Sequence, residues 1–225
     1  MSFCLIILAG GNSHRFKSNI AKPYQKIAGK SLVEININKA CQFKQIKKII
    51  LVYNKKDTKR VKSLGLKNVK LILGGKNRQE STYKALKYLI NTTNISKVLI
   101  HDAARPCLDV RDLKELFVKG NSSTTGLSLG YPLTNALKKV NSGLQVTDNI
   151  KRENLYMSFT PQIFNFSKLF LAYTDIIKKE QSVDDEIEAM TKSGHKVKLM
   201  RSSPRNIKLT YQGDLEVIKS LMKKI

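Results

Sequence analysis

The feature that most constrains this chain is an alternation sustained from end to end. Short β-branched apolar runs, "FCLIIL", "KKIILVY", "VKLIL" and "KVLIH", are separated by longer segments of helical period. Runs that are apolar at every position predict strands buried on both faces, and helices between them predict a mostly parallel sheet flanked by helices, an α/β fold. Within "SLVEININKACQF" one helical stripe carries Val33, Ile37, Ala40 and Cys41; "ESTYKALKYLI" offers Tyr83, Leu86 and Ile90. Asp109 is placed to cap a helix over "VRDLKELFVKG", and Gly120 stands where its C-terminal stop is expected. With 225 residues, 41% of them hydrophobic, the chain has material for one sizeable core, so residues 1–225 are read as a single domain.

After Thr124 the rhythm breaks. "TGLSLGYPLTNALKKV", "NSG" and "LQVTDNIKRENLY" predict a strand leading into a long hairpin, an arm over about residues 131–152 with little apolar content. A hairpin that buries no face of its own leans on something else, and the expectation is a second subunit. Helical segments return over Phe166 to Lys179 and Asp184 to Ser193, followed by a strand "KVKLM" and a closing helix from about Asp214.

Lys and Arg number 41 against 17 Asp and Glu, a net charge of +24. That suits nucleic acid or anionic small substrates. The lysines are scattered over helix faces and loops with no arginine-rich or aromatic-interleaved block, so a lysine-rich surface is favoured, and a basic nucleic-acid-binding protein is the rival of a different class. Cys4, Cys41 and Cys107 form neither a CxxC nor a disulfide framework, and His14, His101 and His195 lack metal-ligand spacing. Cys4 and Cys41 sit among apolar residues and are expected to be buried thiols. No run of 18 or more apolar residues occurs, and the N-terminus lacks a basic leader, which predicts a cytoplasmic protein without membrane contact.

The chemistry is concentrated in loops after strands. In "ILAGGNSHRFKSNIAKP", Gly10 and Gly11 let backbone N–H groups approach phosphate oxygens beyond the end of a strand. Arg15 and Lys22 add cations, and Pro23 biases Lys22 toward an extended backbone. The loop fits a polyphosphate, yet it is neither a P-loop nor a dinucleotide fingerprint. In "LIHDAARPCLDVRDL", Asp102 is suited to orient a cation or hydroxyl, and Arg105 to grip a phosphate bidentately, or the two close a turn as an ion pair. His101 reads as a packing and hydrogen-bonding residue. Arg152, Thr160, Asp184 and Lys208 come late in the chain, each a surface residue if taken alone.

Together the ordered motifs "LAGG…R…KP", "GG…R…S", "HDAARP", "TPQ-F" and "NIKLT…DL" resemble the 2-C-methyl-D-erythritol 4-phosphate cytidylyltransferase family over almost the whole chain. The resemblance implies a Rossmann-like nucleotide-diphospho-sugar transferase fold with a protruding arm. The implied reaction joins CTP to methylerythritol phosphate with Mg²⁺ and releases pyrophosphate. By position, Arg15 and Lys22 would stabilise charge on the triphosphate, and Arg152 and Lys208 would hold the acceptor phosphate. Ala9, Gly10, Gly11, Gly75 and Ser81 fall where the family holds cytidine; Asp102, Arg105, Thr160 and Asp184 fall around the second substrate or ribose. The metal ligands are left unassigned. The family is a homodimer whose arm reaches the partner's site. A phosphate monoester is already an ionised nucleophile, so catalysis reduces to alignment and charge neutralisation, in keeping with many cations and no strong base. The chain departs from the pattern at Ser13, Lys76, Asn135, Ala136 and Asp184, which keeps ribitol 5-phosphate as the alternative acceptor. Some relatives carry a fused cyclase; with the sequence stopping near Ile225, none is expected here.

Overall fold

The computed structural model describes residues 2–11, 14–91 and 94–223, so the expectations placed on Ser13 and Ile225 lie outside the described residues. The elements run β1 (Phe3–Ala9), β2 (Lys26–Ile27), β3 (Lys30–Ser31), α1 (Leu32–Ala40), β4 (Ile46–Tyr53), α2 (Thr58–Ser63), β5 (Val69–Leu73), α3 (Arg78–Ile90) and β6 (Lys97–Asp102). They continue with α4 (Val110–Ser122), β7 (Gly126–Pro132), β8 (Leu137–Val140), β9 (Val146–Ile150), β10 (Tyr156–Asn165), α5 (Phe166–Lys178), α6 (Glu186–Lys192), β11 (Lys198–Arg201) and α7 (Gln212–Met222).

The central sheet has seven strands in the order β11-β7-β10-β6-β1-β4-β5. β1 pairs parallel with β4 and β6, β4 with β5, and β11 with β7, whereas β10 runs antiparallel to both its neighbours. The two-residue side-chain period of a strand explains how one apolar run serves two cores. Leu5 and Ile7 of β1 join Leu51 of β4 in a cluster with α1, α2 and α4, while Cys4 and Ile6 join Ile50 and Val52 against α3, α5 and α6. A smaller cluster of Phe16, Ile27, Leu32, Leu209 and Ile218 seats α7 beside the β2–β3 hairpin. That hairpin turns at Ala28 and Gly29, both with positive φ, the geometry of the tight turns that match strand twist. Ser31 and Glu34 then form a reciprocal capping box that starts α1.

Several expectations need correction. "VKLIL" is the edge strand β5 and is only partly buried, with Leu73 exposed. α1 ends at Ala40, which leaves Cys41 at its C-cap and exposed. The buried stripe of α3 is Thr82, Ala85, Leu86 and Leu89, rotated from the expected one, and Ile90 faces out. Asp109 does cap α4, yet Gly120 lies inside that helix: a Cβ there would sit 2.7 Å from Ile163 Cγ2. The glycine is a contact point between helix and sheet and not a stop. The arm, by contrast, is present as expected, with β8 and β9 paired antiparallel and largely exposed.

Candidate active site

Parallel strands bring their C-terminal ends to one edge, and the glycine loops fall there. β1 delivers Ala9, Gly10 and Gly11; β4 delivers Asn54; β5 delivers Gly74 and Gly75; β6 delivers Asp102. They surround a cavity of about 390 Å³ whose wall includes Ala9, Gly10, Gly11, Gly75, Ser81, Arg15, Lys22, Asp102 and Lys208. Among the described residues a Cβ on Gly11 would meet nothing within 4 Å, so packing against them does not demand that glycine. Gly74 is packed: a Cβ would lie 3.1 Å from Ser81 Oγ and 3.3 Å from the Tyr53 carbonyl oxygen. Ser81, from the first turns of α3, accepts from the Gly75 amide at 3.0 Å and donates to the Asn77 carbonyl at 2.7 Å, which fixes the loop over the cavity. Asn54 Nδ2 donates to the Gly10 carbonyl at 3.3 Å and ties the first loop to β4.

Charge on the wall is one-sided. Arg15, Lys22, Lys76, Arg78 and Lys208 face Asp102, the one acid among the described lining residues. Lys22 sits in a short 3-10 turn over Lys22–Tyr24, and the extended residue is Ala21, one position earlier than expected. Burial, then the neighbouring Lys208 and Arg15, lower the Lys22 pKa. An incoming polyanion would relieve that crowding.

Asp102 organises the far wall. Lys208 Nζ is 2.7 Å from Oδ2, Arg105 Nε 3.7 Å from the same oxygen, and Arg78 Nε 3.6 Å from Oδ1. Burial alone would raise its pKa, but Arg78, Lys208 and Arg105 outweigh it and hold the carboxyl well below the usual range. The Asp102–Arg105 turn pair therefore exists, although Lys208 stands closer. Arg105 is turned beneath the site, donating from Nη1 to the Asn206 carbonyl at 2.8 Å with its guanidinium over Phe159. Leu209 N donates to the Ala104 carbonyl at 2.8 Å. These two bonds pin the strand of chain on both sides of Lys208 to the "HDAARP" loop, which is how a residue so late in sequence reaches the first loop's cavity.

Thr160 is a support behind Asp102: its Oγ1 accepts from the Asp102 amide at 3.0 Å and donates to His101 Nδ1 at 3.1 Å. His101 Nε2 faces two acceptors, Asn36 Oδ1 and the Arg105 carbonyl, both at 3.2 Å, which places its proton on Nε2. Burial pushes its pKa down to about 4, so the ring is neutral and structural, as the sequence suggested. Asp184 is exposed; its carbonyl accepts from Arg78 at 3.4 Å and its amide donates to Glu188. Arg152 stands exposed in the arm, its guanidinium donating to the Thr134 carbonyl. Neither side chain is on the wall of the chain's own cavity among the described residues. Sequence reasoning missed Asn54, Arg78 and Glu186. Arg78 had only its place in "GG…R…S" as a signal, and Glu186, the buried acid that binds it, was hidden in the acidic run "DDEIE".

A glycine cradle and a cation-rich cavity at the carboxyl edge of an α/β sheet suit a protein that handles nucleotide and phosphorylated substrates. The sequence matches the family model of 2-C-methyl-D-erythritol 4-phosphate cytidylyltransferase over residues 3–224, and the chain belongs to that family. It is a nucleotidyltransferase, an enzyme of CTP-dependent cytidylyl transfer to 2-C-methyl-D-erythritol 4-phosphate in isoprenoid biosynthesis. Among its relatives, the 2-C-methyl-D-erythritol 4-phosphate cytidylyltransferase of Wigglesworthia glossinidia brevipalpis is 35% identical over 213 residues, 94% of this chain and 91% of that one. The bifunctional enzyme IspD/IspF of Pelagibacter ubique is 38% identical over 216 residues, 96% of this chain, which spans 56% of the bifunctional protein. The fold is that of the Francisella tularensis 2-C-methyl-D-erythritol 4-phosphate cytidylyltransferase crystal structure, with a TM-score of 0.82 at 24% identity, covering 98% of this chain and 100% of that one.

Proposed function

We propose that CTP lies in the cavity with its triphosphate against Arg15 and Lys22. A phosphate oxygen of the acceptor attacks the α-phosphorus; the new P–O bond forms as the bond to the β-phosphate breaks and pyrophosphate leaves. The observation that carries this reading is the wall itself, where five cations face one carboxylate. Pre-aimed charge of this kind acts where negative charge develops and needs no general base when the nucleophile is already ionised. Ala9, Gly10, Gly11, Gly75 and Ser81 cradle the cytidine, since their backbone is open to the cavity and held by Asn54 and Ser81. Lys208 holds the acceptor phosphate, and Asp102 orients Lys208, with Arg105 and Thr160 as its supports.

Arg152 of the partner subunit completes the acceptor site in this reading. Its support is the arm, whose Val140, Leu144, Val146 and Ile150 are exposed and want a second surface. Asp184 lies beside Arg78 through its backbone and gives no side-chain argument for a different polyol. Mg²⁺ is assigned as the cofactor. No group of three or more His, Cys, Asp or Glu stands together to hold a metal among the described residues, and Asp102 is already shared among cations. That donor set fits an ion carried on the nucleotide, because Mg²⁺ commonly takes one or two carboxylates together with substrate phosphates. When bound it neutralises phosphate charge. We place the enzyme in the cytoplasm: its three cysteines are free thiols, and no helix among the described residues is long and apolar enough to cross a membrane.

The test is pyrophosphate release from purified protein with CTP and Mg²⁺, with 2-C-methyl-D-erythritol 4-phosphate, ribitol 5-phosphate or no acceptor. Release with the first alone is expected. Faster release with ribitol 5-phosphate would move the acceptor, and silence in all three arms would overturn the reading.

A further inference from the structure

Arg78 opens α3, where a positive charge opposes the helix dipole. Helix stability does not explain its position, and its partners do. Glu186, wholly buried, accepts from Arg78 Nη1 at 2.8 Å and Nη2 at 2.7 Å. The same carboxylate accepts from Tyr173 Oη at 3.0 Å and Thr82 Oγ1 at 3.1 Å. A buried carboxylate held by a bidentate guanidinium and two hydroxyls is fully satisfied and fixed in direction. The remaining guanidinium nitrogen, Nε, faces Asp102 Oδ1 at 3.6 Å, while Asp102 Oδ2 meets Lys208 at 2.7 Å. Charges thus alternate from core to cavity, Glu186 to Arg78 to Asp102 to Lys208, with side-chain exposures of 0%, 26%, 10% and 40%.

We propose that Arg78 and Glu186 are a positioning unit for Lys208. Buried Glu186 clamps the fork of Arg78, Arg78 holds Asp102 from the side opposite Lys208, and Asp102 thereby presents the Lys208 ammonium to the acceptor phosphate. Sharing matters as much as placement. A carboxylate divided between cations grips each less firmly than it would grip one alone, so Lys208 is aimed yet can be drawn to an incoming phosphate. The unit rests on the reading that Lys208 holds that phosphate.

The experiment is a double-mutant cycle on the full-length enzyme with Glu186→Gln, Lys208→Ala and their combination. It measures KM for 2-C-methyl-D-erythritol 4-phosphate, KM for CTP, kcat and the melting temperature. Glu186→Gln is expected to raise the acceptor KM about tenfold while leaving the CTP KM within about twofold, and to add less than about twofold once Lys208 is gone. An equal loss in both backgrounds would overturn the proposal, because Glu186 would then serve only the fold or Arg78 would bind substrate itself. A folded Glu186→Gln enzyme with unchanged acceptor KM would overturn it too. Should Lys208→Ala alone leave the acceptor KM unchanged, the role of Lys208 fails and the unit with it; if that single variant behaves as expected, a failed cycle removes the unit alone. Arg78→Lys keeps the charge but cannot fork onto Glu186, and it carries the same cycle if Glu186→Gln does not fold.

Discussion

The cavity edge of the sheet and the arm place the cations proposed to act there by different means. Lys208 is fixed by Asp102, by bonds on both sides to the "HDAARP" loop and by the α7 cluster beneath it. Arg152 has the Thr134 carbonyl beside it and an exposed two-stranded ladder beyond. Two strands without a packed face are marginal in water. A cation at the sheet edge is therefore fixed by the folded body of the chain, whereas one on the arm is held by little beyond its own hairpin.

Substitutions on the two regions test that contrast. The largest difference is expected in stability: Phe164→Ala, in the core on β10, should cost about 3–5 kcal/mol, whereas Val146→Ala on the arm should stay within about 0.5 kcal/mol in the dissociated chain. Urea unfolding at low protein concentration measures both, and comparable losses would mean the arm packs on its own body. Next comes chemistry. Lys22→Ala should lower kcat by about a hundredfold or more, as for loss of a pre-aimed charge at a developing anion; a near-normal kcat in single-turnover assays would take Lys22 out of the mechanism.

A third difference is in pH. The folded pKa of His101 is about 4 against an ordinary 6.5, so the unfolded chain binds the extra proton between those values. The associated stability is complete above pH 6.5 and is lost as pH falls toward 4. His101→Gln should flatten the denaturation midpoint across pH 6.5 to 5, and a midpoint that still falls as steeply would assign the dependence elsewhere. The smallest expected effect is on the arm: Arg152→Ala should raise the acceptor KM about tenfold with CTP binding unchanged. Mixing it with Lys208→Ala should restore activity above either alone if the arm works across subunits, and no recovery after subunit exchange would confine Arg152 to its own chain.

Much of this was legible in the sequence because strand ends and glycines mark themselves. Apolar runs gave β1, β4 and β6; Gly10 and Gly11 follow β1 and Asp102 ends β6, whereas Lys208 comes only after β11 and was marked by its motif alone. What stayed hidden depends on rotation and depth. Cys41 lies on the apolar stripe of α1, but the helix stops one residue short of it. Gly120 follows the rule for a helix end, yet the close approach of Ile163 keeps it inside. Glu186 looks like its acidic neighbours Asp184 and Asp185, and only the approach of α6 to α3 decides which of them loses water and takes Arg78.

The antiparallel course of β10 has a consequence for modularity. β7 and β10 pair from Gly126 and Phe164 out to Pro132 and Tyr156, with a register shift at Thr160 and Pro161, and Leu133 still bonds to Leu155 at 3.0 Å. The arm therefore leaves and re-enters the sheet through two doors one strand-spacing apart, about 4.8 Å. It can be lengthened, shortened or replaced by a tight turn without moving a single pair in the sheet that builds the cavity. Arm and cavity are thus separable parts of one chain, free to change independently.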